Sequence, residues 1–176
     1  MTADNKMKIL TESVFVGEVA MQAKIALRAA ERLLPMIDVS DQVEAWCSIQ
    51  SILIAAGNVS KILWPSRDSS KERGEVLRNL LNADDFELLS SRKFRNHFEH
   101  YDERIEDWFS KNNSSVYMDS RIDPFGSVWG DNFSGCHRAY NPLTKILFFR
   151  GDSVNVRALV DELEIIRDKC GLFVLV

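Results

Sequence analysis

The chain has 176 residues, which at about 100–200 residues per domain is one domain and excludes a multidomain machine. Apolar side chains make up 45% and charged ones 27%, which excludes disordered, collagenous and low-complexity readings. The formal net charge of −4 repels a polyanion, so any nucleic-acid role has to rest on a local site.

The opening stretch Met1–Lys6 lacks the apolar run of a signal peptide, and no segment approaches the ~20 apolar residues of a membrane span. The expectation is a cytoplasmic protein with no membrane partner. Cys47, Cys136 and Cys170 are odd in number and lack CxxC spacing, against both a disulfide framework and a zinc knuckle. They are expected as reduced thiols, mostly in the core, and no metal or cofactor is expected.

From Thr11 to Leu34 apolar residues fall at Val16, Ala20, Ala23, Leu27, Ala30 and Leu34, with a second row at Phe15, Val19, Ala26 and Leu33. This predicts a long helix with a wide apolar face, closed by Pro35. Asp41 with Glu44 three residues on resembles a capping box, and Trp46, Ile49, Leu53, Ala56 and Leu63 continue a second helix to Trp64. A shorter helix carries Val76, Leu77, Leu80 and Leu81, and Asp84 can cap a turn through Phe86, Leu88 and Leu89. A fourth helix starts near Ser90 or Ser91. Its core stripe is Phe94, Phe98, Tyr101, Ile105 and Trp108, spaced 4-3-4-3.

After Asn112 the texture changes, with four of the eight glycines and two of the four prolines between residues 113 and 152. Val116–Met118, Cys136–Tyr140 and Lys145–Phe149 read as short strands of an antiparallel hairpin or small sheet, with Asn141-Pro142 as a turn. A last helix is capped near Asp152 or Ser153, carries Val156, Leu159, Val160, Leu163 and Ile166, and stops at Cys170-Gly171. The tail from Leu172 to Val176 can add a strand.

The segment from Arg92 to Arg104 holds two of the three histidines. On a helix, Arg95 flanks the apolar stripe, while Asn96, Glu99, His100 and Glu103 turn away from it. An arginine grips phosphate bidentately and an imidazole titrates near neutrality, which makes this polar face the candidate site. Arg95-Asn96-x-x-x-His100 resembles the R-x4-6-H motif of HEPN domains, in which a polar residue commonly follows the arginine.

That resemblance covers roughly residues 11–112. It implies a mainly α protein, an up-and-down four-helix bundle over residues 1–112, to which residues 113–176 add the short antiparallel β insertion and the C-terminal helix. Many HEPN proteins are metal-independent ribonucleases of toxin–antitoxin and phage-defence systems. The implied partners are RNA or a nucleotide, an antitoxin protein and a second copy of the chain, with the first and fourth helices at the interface. The implied roles are His100 as general base toward the 2′-OH, Arg95 as phosphate clamp and Asn96 as orienting group. Arg92, Lys93 and Glu99 flank these as candidate substrate contacts.

A second register, Arg92-x4-His97, has the same spacing. Lys93 stands where the family favours a short polar residue and His97 is expected half-buried, so Arg95/His100 is preferred. Toxins paired with a nucleotidyltransferase antitoxin carry R-x4-H-x-Y, whereas here Asp102 holds the tyrosine's place. Tyr101 directly follows His100 and is expected in the core stripe. A non-catalytic module binding a nucleotide, RNA or protein through the same groove is the alternative. Residues 61–95 carry a net +2 and residues 99–107 a net −4, and the acid cluster disfavours nonspecific RNA binding.

Overall fold

The computed structural model describes residues 3–37, 40–91, 93–111, 116–124 and 136–173, and of residues 3–5 and Arg95 the backbone alone. The described chain is mainly helical with one small sheet. Helices α1 (Ala3–Leu33) and α2 (Gln42–Leu63) form an antiparallel pair. Arg32 meets Glu44 at 2.7 Å at one end, and Asn58 donates to Gln22 further along. Ala20, Ala23, Ala26 and Ala30 of α1 and Ala45, Ala55 and Ala56 of α2 are buried, and such small side chains let the helix axes approach closely. Asp41 caps α2, its carboxylate accepting from Glu44 N at 3.0 Å.

Helices α3 (Lys71–Leu81) and α4 (Glu87–Ser90) follow. Gly74 is required where α3 meets the end of α2, because a Cβ there would stand 2.5 Å from Pro65 Cδ and 2.8 Å from Leu63 O. The predicted fourth helix is two helices, α5 (Lys93–Glu99) and α6 (Tyr101–Lys111), interrupted at His100. His100 keeps helical backbone bonds on both sides, N–H to Asn96 O and its own carbonyl from Arg104 N–H. Tyr101 is 47% exposed, so it leaves the predicted stripe. Trp108 is buried, and Phe94, Phe98 and Ile105 are half-buried. The two helices have different partners: α5 lies on α2 and the sheet, while Trp108 and Phe109 of α6 pack on Tyr117.

The sheet has the order β1 (Arg121–Ile122), β2 (Arg138–Asn141), β3 (Ile146–Phe149), β4 (Asp152–Asn155). It is mixed rather than antiparallel throughout, because β1 pairs with β2 in parallel. Asn141 Oδ1 accepts from Leu143 N and Thr144 N, which turns the chain between β2 and β3. Arg150 and Gly151 both have positive φ (49° and 91°), the two-residue hairpin geometry that matches strand twist. That turn creates β4 from Asp152 and Ser153, so the cap of the last helix, α7 (Val156–Cys170), moves to Asn155, which accepts from Ala158 N at 3.1 Å. Val116–Met118 contributes only an isolated bridge, Met118 to Cys136. Residues 125–135 and 174–176 lie outside the described residues, and Leu172 and Phe173 are turn.

After the α1–α2 pair, α1 and α7 share the most extensive helix–helix packing. One core runs through both halves, from Val16 and Ile49 to Tyr140, Leu147, Leu163 and Ile166. Polar ties fix the halves together. Lys145 Nζ donates to Leu34 O at 2.6 Å, closing the carbonyl end of α1, and Glu162 accepts from Leu88 N and Leu89 N at 3.1 and 2.9 Å. Cys136 and Cys170 are buried and Cys47 is exposed. Among the described residues no helix is long and apolar enough to cross a membrane.

Candidate functional site

The α5–α6 corner carries the sequence-predicted residues, and the structure treats its two histidines in opposite ways. His97 is 13% exposed, and its Nε2 lies 2.8 Å from Asp152 Oδ2. Its ring stacks on Phe149 at 4.7 Å and 13°, with Phe94 edge-on at 5.8 Å. Its Nδ1 is buried without a hydrogen-bond partner. Lys93 Nζ reaches the other oxygen of Asp152 at 2.5 Å. Partial burial pushes the Asp152 carboxyl up, but the hydrogen bonds from Lys93 and His97 outweigh it and hold the group below the usual carboxylate range. Lys93, a candidate substrate contact, is therefore committed to the sheet.

His100 is 51% exposed, and its Nδ1 lies 3.3 Å from Glu103 Oε1. That contact directs the other ring nitrogen, Nε2, away from Glu103, and such a second partner sets which nitrogen carries the proton. Asn96 is half-buried one turn earlier. Glu99 pairs with Lys61 of α2 across a tertiary contact, a partner that helical spacing alone did not supply. Arg92 lies outside the described residues, and so does the side chain of Arg95, whose backbone is in α5.

Beside this corner, α2, α5, α6 and β2 enclose a cleft of about 440 Å³. Ile54, Phe98 and Tyr101 give it apolar walls, and Gln50 and Asn58 add carboxamides. Its floor is Arg138, which the sequence reading missed. The guanidinium pairs bidentately with Asp119, Nε to Oδ1 at 2.8 Å and Nη2 to Oδ2 at 2.5 Å. It also lies 5.4, 5.8 and 5.7 Å from the ring centres of Trp46, Phe98 and Tyr101. Burial raises Asp119, but the Arg138 hydrogen bond and charge hold it below its ordinary range. Arg138 and Lys61 each have a carboxylate partner, so the cleft is close to neutral. An aromatic run around a strand arginine was the available signal, but its meaning depends on Asp119, 19 residues earlier.

His137, the third histidine, is fully buried, edge-on to Phe149 at 4.9 Å, with no hydrogen-bond partner on either ring nitrogen. Burial pushes its pKa down to about 4, so it is neutral and out of reach of substrate. Among the described residues no group of three or more histidine, cysteine or acidic side chains is arranged to hold a metal ion. No family model, no curated protein and no solved structure matches the chain.

Proposed function

We propose that the α5–α6 corner is the centre of a HEPN-like, metal-independent endoribonuclease that works as a homodimer. The observation that carries this reading is the contrast between the two histidines: His97 is clamped to Asp152 and stacked on Phe149, while His100 is half-exposed beside Glu103. The more exposed imidazole of His100 favours the Arg95/His100 register over Arg92/His97. His100 takes the proton of a 2′-OH as that oxygen attacks the adjacent phosphorus, and the P–O5′ bond breaks as the cyclic phosphate closes, the leaving 5′-oxygen taking a proton from His100 of the partner subunit. Arg95 holds the phosphate and Asn96 orients it. RNA degradation of this kind suits a toxin or phage-defence protein. The test is purified protein with total RNA in excess chelator. Wild type and His97→Ala should cut, and Arg95→Ala and His100→Ala should not; cutting lost in His97→Ala and kept in His100→Ala refutes the register.

A second reading rests on the cleft. Its apolar walls, half-exposed Tyr101 and two carboxamides fit a flat neutral ring with a hydrogen-bonding edge, such as a nucleobase, and its paired cations leave little for a phosphate. Titration of adenosine against wild type and Tyr101→Ala, read beside the total-RNA assay, separates the two readings, since adenosine binding that Tyr101→Ala weakens, with no RNA cleavage, is the outcome of a non-catalytic module.

A further inference from the structure

Helix α2 faces the cleft with one ridge, on which Gln50, Ile54, Asn58 and Lys61 follow one another at helical spacing. Asn58 also reaches the other way, to α1. Its carboxamide Nδ2 donates to Gln22 Oε1 at 3.1 Å, and Gln22 Nε2 donates in turn to Glu18 Oε1 at 2.7 Å. A chain of two amides therefore links the cleft wall to an exposed carboxylate on α1.

That carboxylate gives the chain a direction. A carboxamide can be turned end for end, but an ionised carboxylate only accepts. Glu18 takes the N–H end of Gln22, which leaves Gln22 its oxygen for Asn58, and Asn58 answers with its own N–H end. The oxygen of Asn58, Oδ1, is turned away from the Gln22 contact, and no donor among the described residues meets it. Arg138 supplies the opposite group at the floor. Asp119 takes its Nε and Nη2, and Ser120 Oγ accepts from Nη2 as well at 3.1 Å. Nη1 is the part of the guanidinium left without an acceptor among the described residues. The cleft thus offers one oriented acceptor and one donor.

We infer that the cleft selects a base with an exocyclic amine beside an unprotonated ring nitrogen, adenine or cytosine, and that Asn58 is the residue that reads it. The inference rests on the reading of the cleft as a nucleobase site. The amine donates to Asn58 Oδ1, the ring nitrogen accepts from Arg138 Nη1, and the rings of Phe98 and Tyr101 hold the plane of the base. Hypoxanthine, guanine and uracil carry the reverse pair, a carbonyl beside a ring N–H. To offer donor and acceptor in the same order they must turn over, which swings the ribose to the other side, and otherwise the carbonyl faces Asn58 Oδ1 with no proton between them. A site built around an oriented polar group rejects the analogue that cannot pair with it. Gln22 and Glu18 touch no base. They are positioning residues, which keep Asn58 from turning its N–H end to meet a carbonyl.

NMR titration of the full chain with adenosine, inosine, cytidine and uridine tests this, and it reads binding whether or not RNA is cut. Wild type should bind adenosine about 10-fold or more tighter than inosine, and cytidine tighter than uridine by a similar factor. Asn58→Leu should keep weak binding of all four and lose the preference. Glu18→Gln changes an exposed side chain to one that donates as readily as it accepts, so the melting temperature should hold while inosine draws level with adenosine. Glu18→Lys, a donor only, should turn both amides round and favour inosine, a change of sign that a merely structural role for Glu18 does not produce. Equal binding of adenosine and inosine by wild type overturns the inference and leaves the nucleobase reading standing, whereas no binding of any nucleoside overturns both. A preference that survives in both Asn58→Leu and Glu18→Gln also overturns it, because the discrimination then lies elsewhere.

Discussion

The α1–α2–α7 core and the α5–α6 corner are held by different forces. The core closes on alanine, leucine, isoleucine and valine with essentially no exposure, as at Ala23, Ile49, Ile52, Leu163 and Ile166. Its stability scales with area and is indifferent to direction. The corner rests instead on the rings around Phe149, on Asp152 shared by Lys93 and His97, and on the Lys61–Glu99 pair. Those contacts are directional, and the more exposed ones are screened by salt. A site built on the rigid pair would be buried with it. One hung from a few oriented contacts keeps an imidazole in solvent at a defined place, and elements that bind ligands are drawn from the less stable parts of a fold.

Phe149→Ala is the harshest way to break this arrangement. The ring is fully buried and touches His97, Phe98 and His137, and removing it should cost about 3–5 kcal/mol in denaturant unfolding. A loss below about 1 kcal/mol would mean that the corner does not depend on that ring. His100→Ala comes next: RNA cleavage should fall by about 10²-fold or more, the scale of a lost general base, while the melting temperature stays put because the side chain is half in water. An equal loss of activity and stability would assign His100 a structural role.

Asp152→Asn should have a smaller effect. It weakens the bonds to Lys93 and His97 together, at a cost of about 1–2 kcal/mol. The sharper readout is local: α5 amides should exchange faster with deuterium while α1 and α2 amides hold. Uniform acceleration across all three helices would erase the distinction between core and corner.

The same division governs what the sequence made legible. The α1 and α2 faces are readable because a long amphipathic helix buries a repeating stripe, and Val16, Ala20, Ala23, Ile49, Leu53 and Leu63 all lie in the core. The start of α1 at Ala3 is not readable, since residues 6–11 are all exposed and form no buried stripe. The corner was read as one stripe through Tyr101, but α5 and α6 answer to different partners, Phe149 and Tyr117, and a one-dimensional period carries no trace of that. The β3–β4 hairpin turns on positive φ at Arg150, a conformation that an arginine does not advertise. His97 was read as half-buried from its angle on the helix. The partner that fixes it, Asp152, is 55 residues away, and by local sequence it reads as a helix cap. Tertiary pairs of this range override local preference wherever the local signal is weak.

The mildest test uses acid to probe the far side of Phe149. His137 is neutral and buried, with its pKa pushed from 6.5 to about 4 by burial. Between those values the unfolded chain binds a proton that the folded chain refuses, so unfolding takes up a proton and stability falls as pH falls. Above pH 6.5 both states are neutral at this residue and the contribution is flat. Going from pH 7 to pH 5.5 should therefore remove about 1 kcal/mol, read as a lower urea midpoint at unchanged slope. Asp119 and Asp152 act in a different window. Their folded values lie below the ordinary 3.8, so their stabilising effect is complete above that value and is lost only as pH falls below it. His137→Phe keeps an aromatic ring against Phe149 without a titrating nitrogen, and should flatten the pH 7 to 5.5 segment while leaving the drop below pH 4. If the variant falls off between pH 7 and 5.5 as steeply as wild type, the acid sensitivity belongs to other groups.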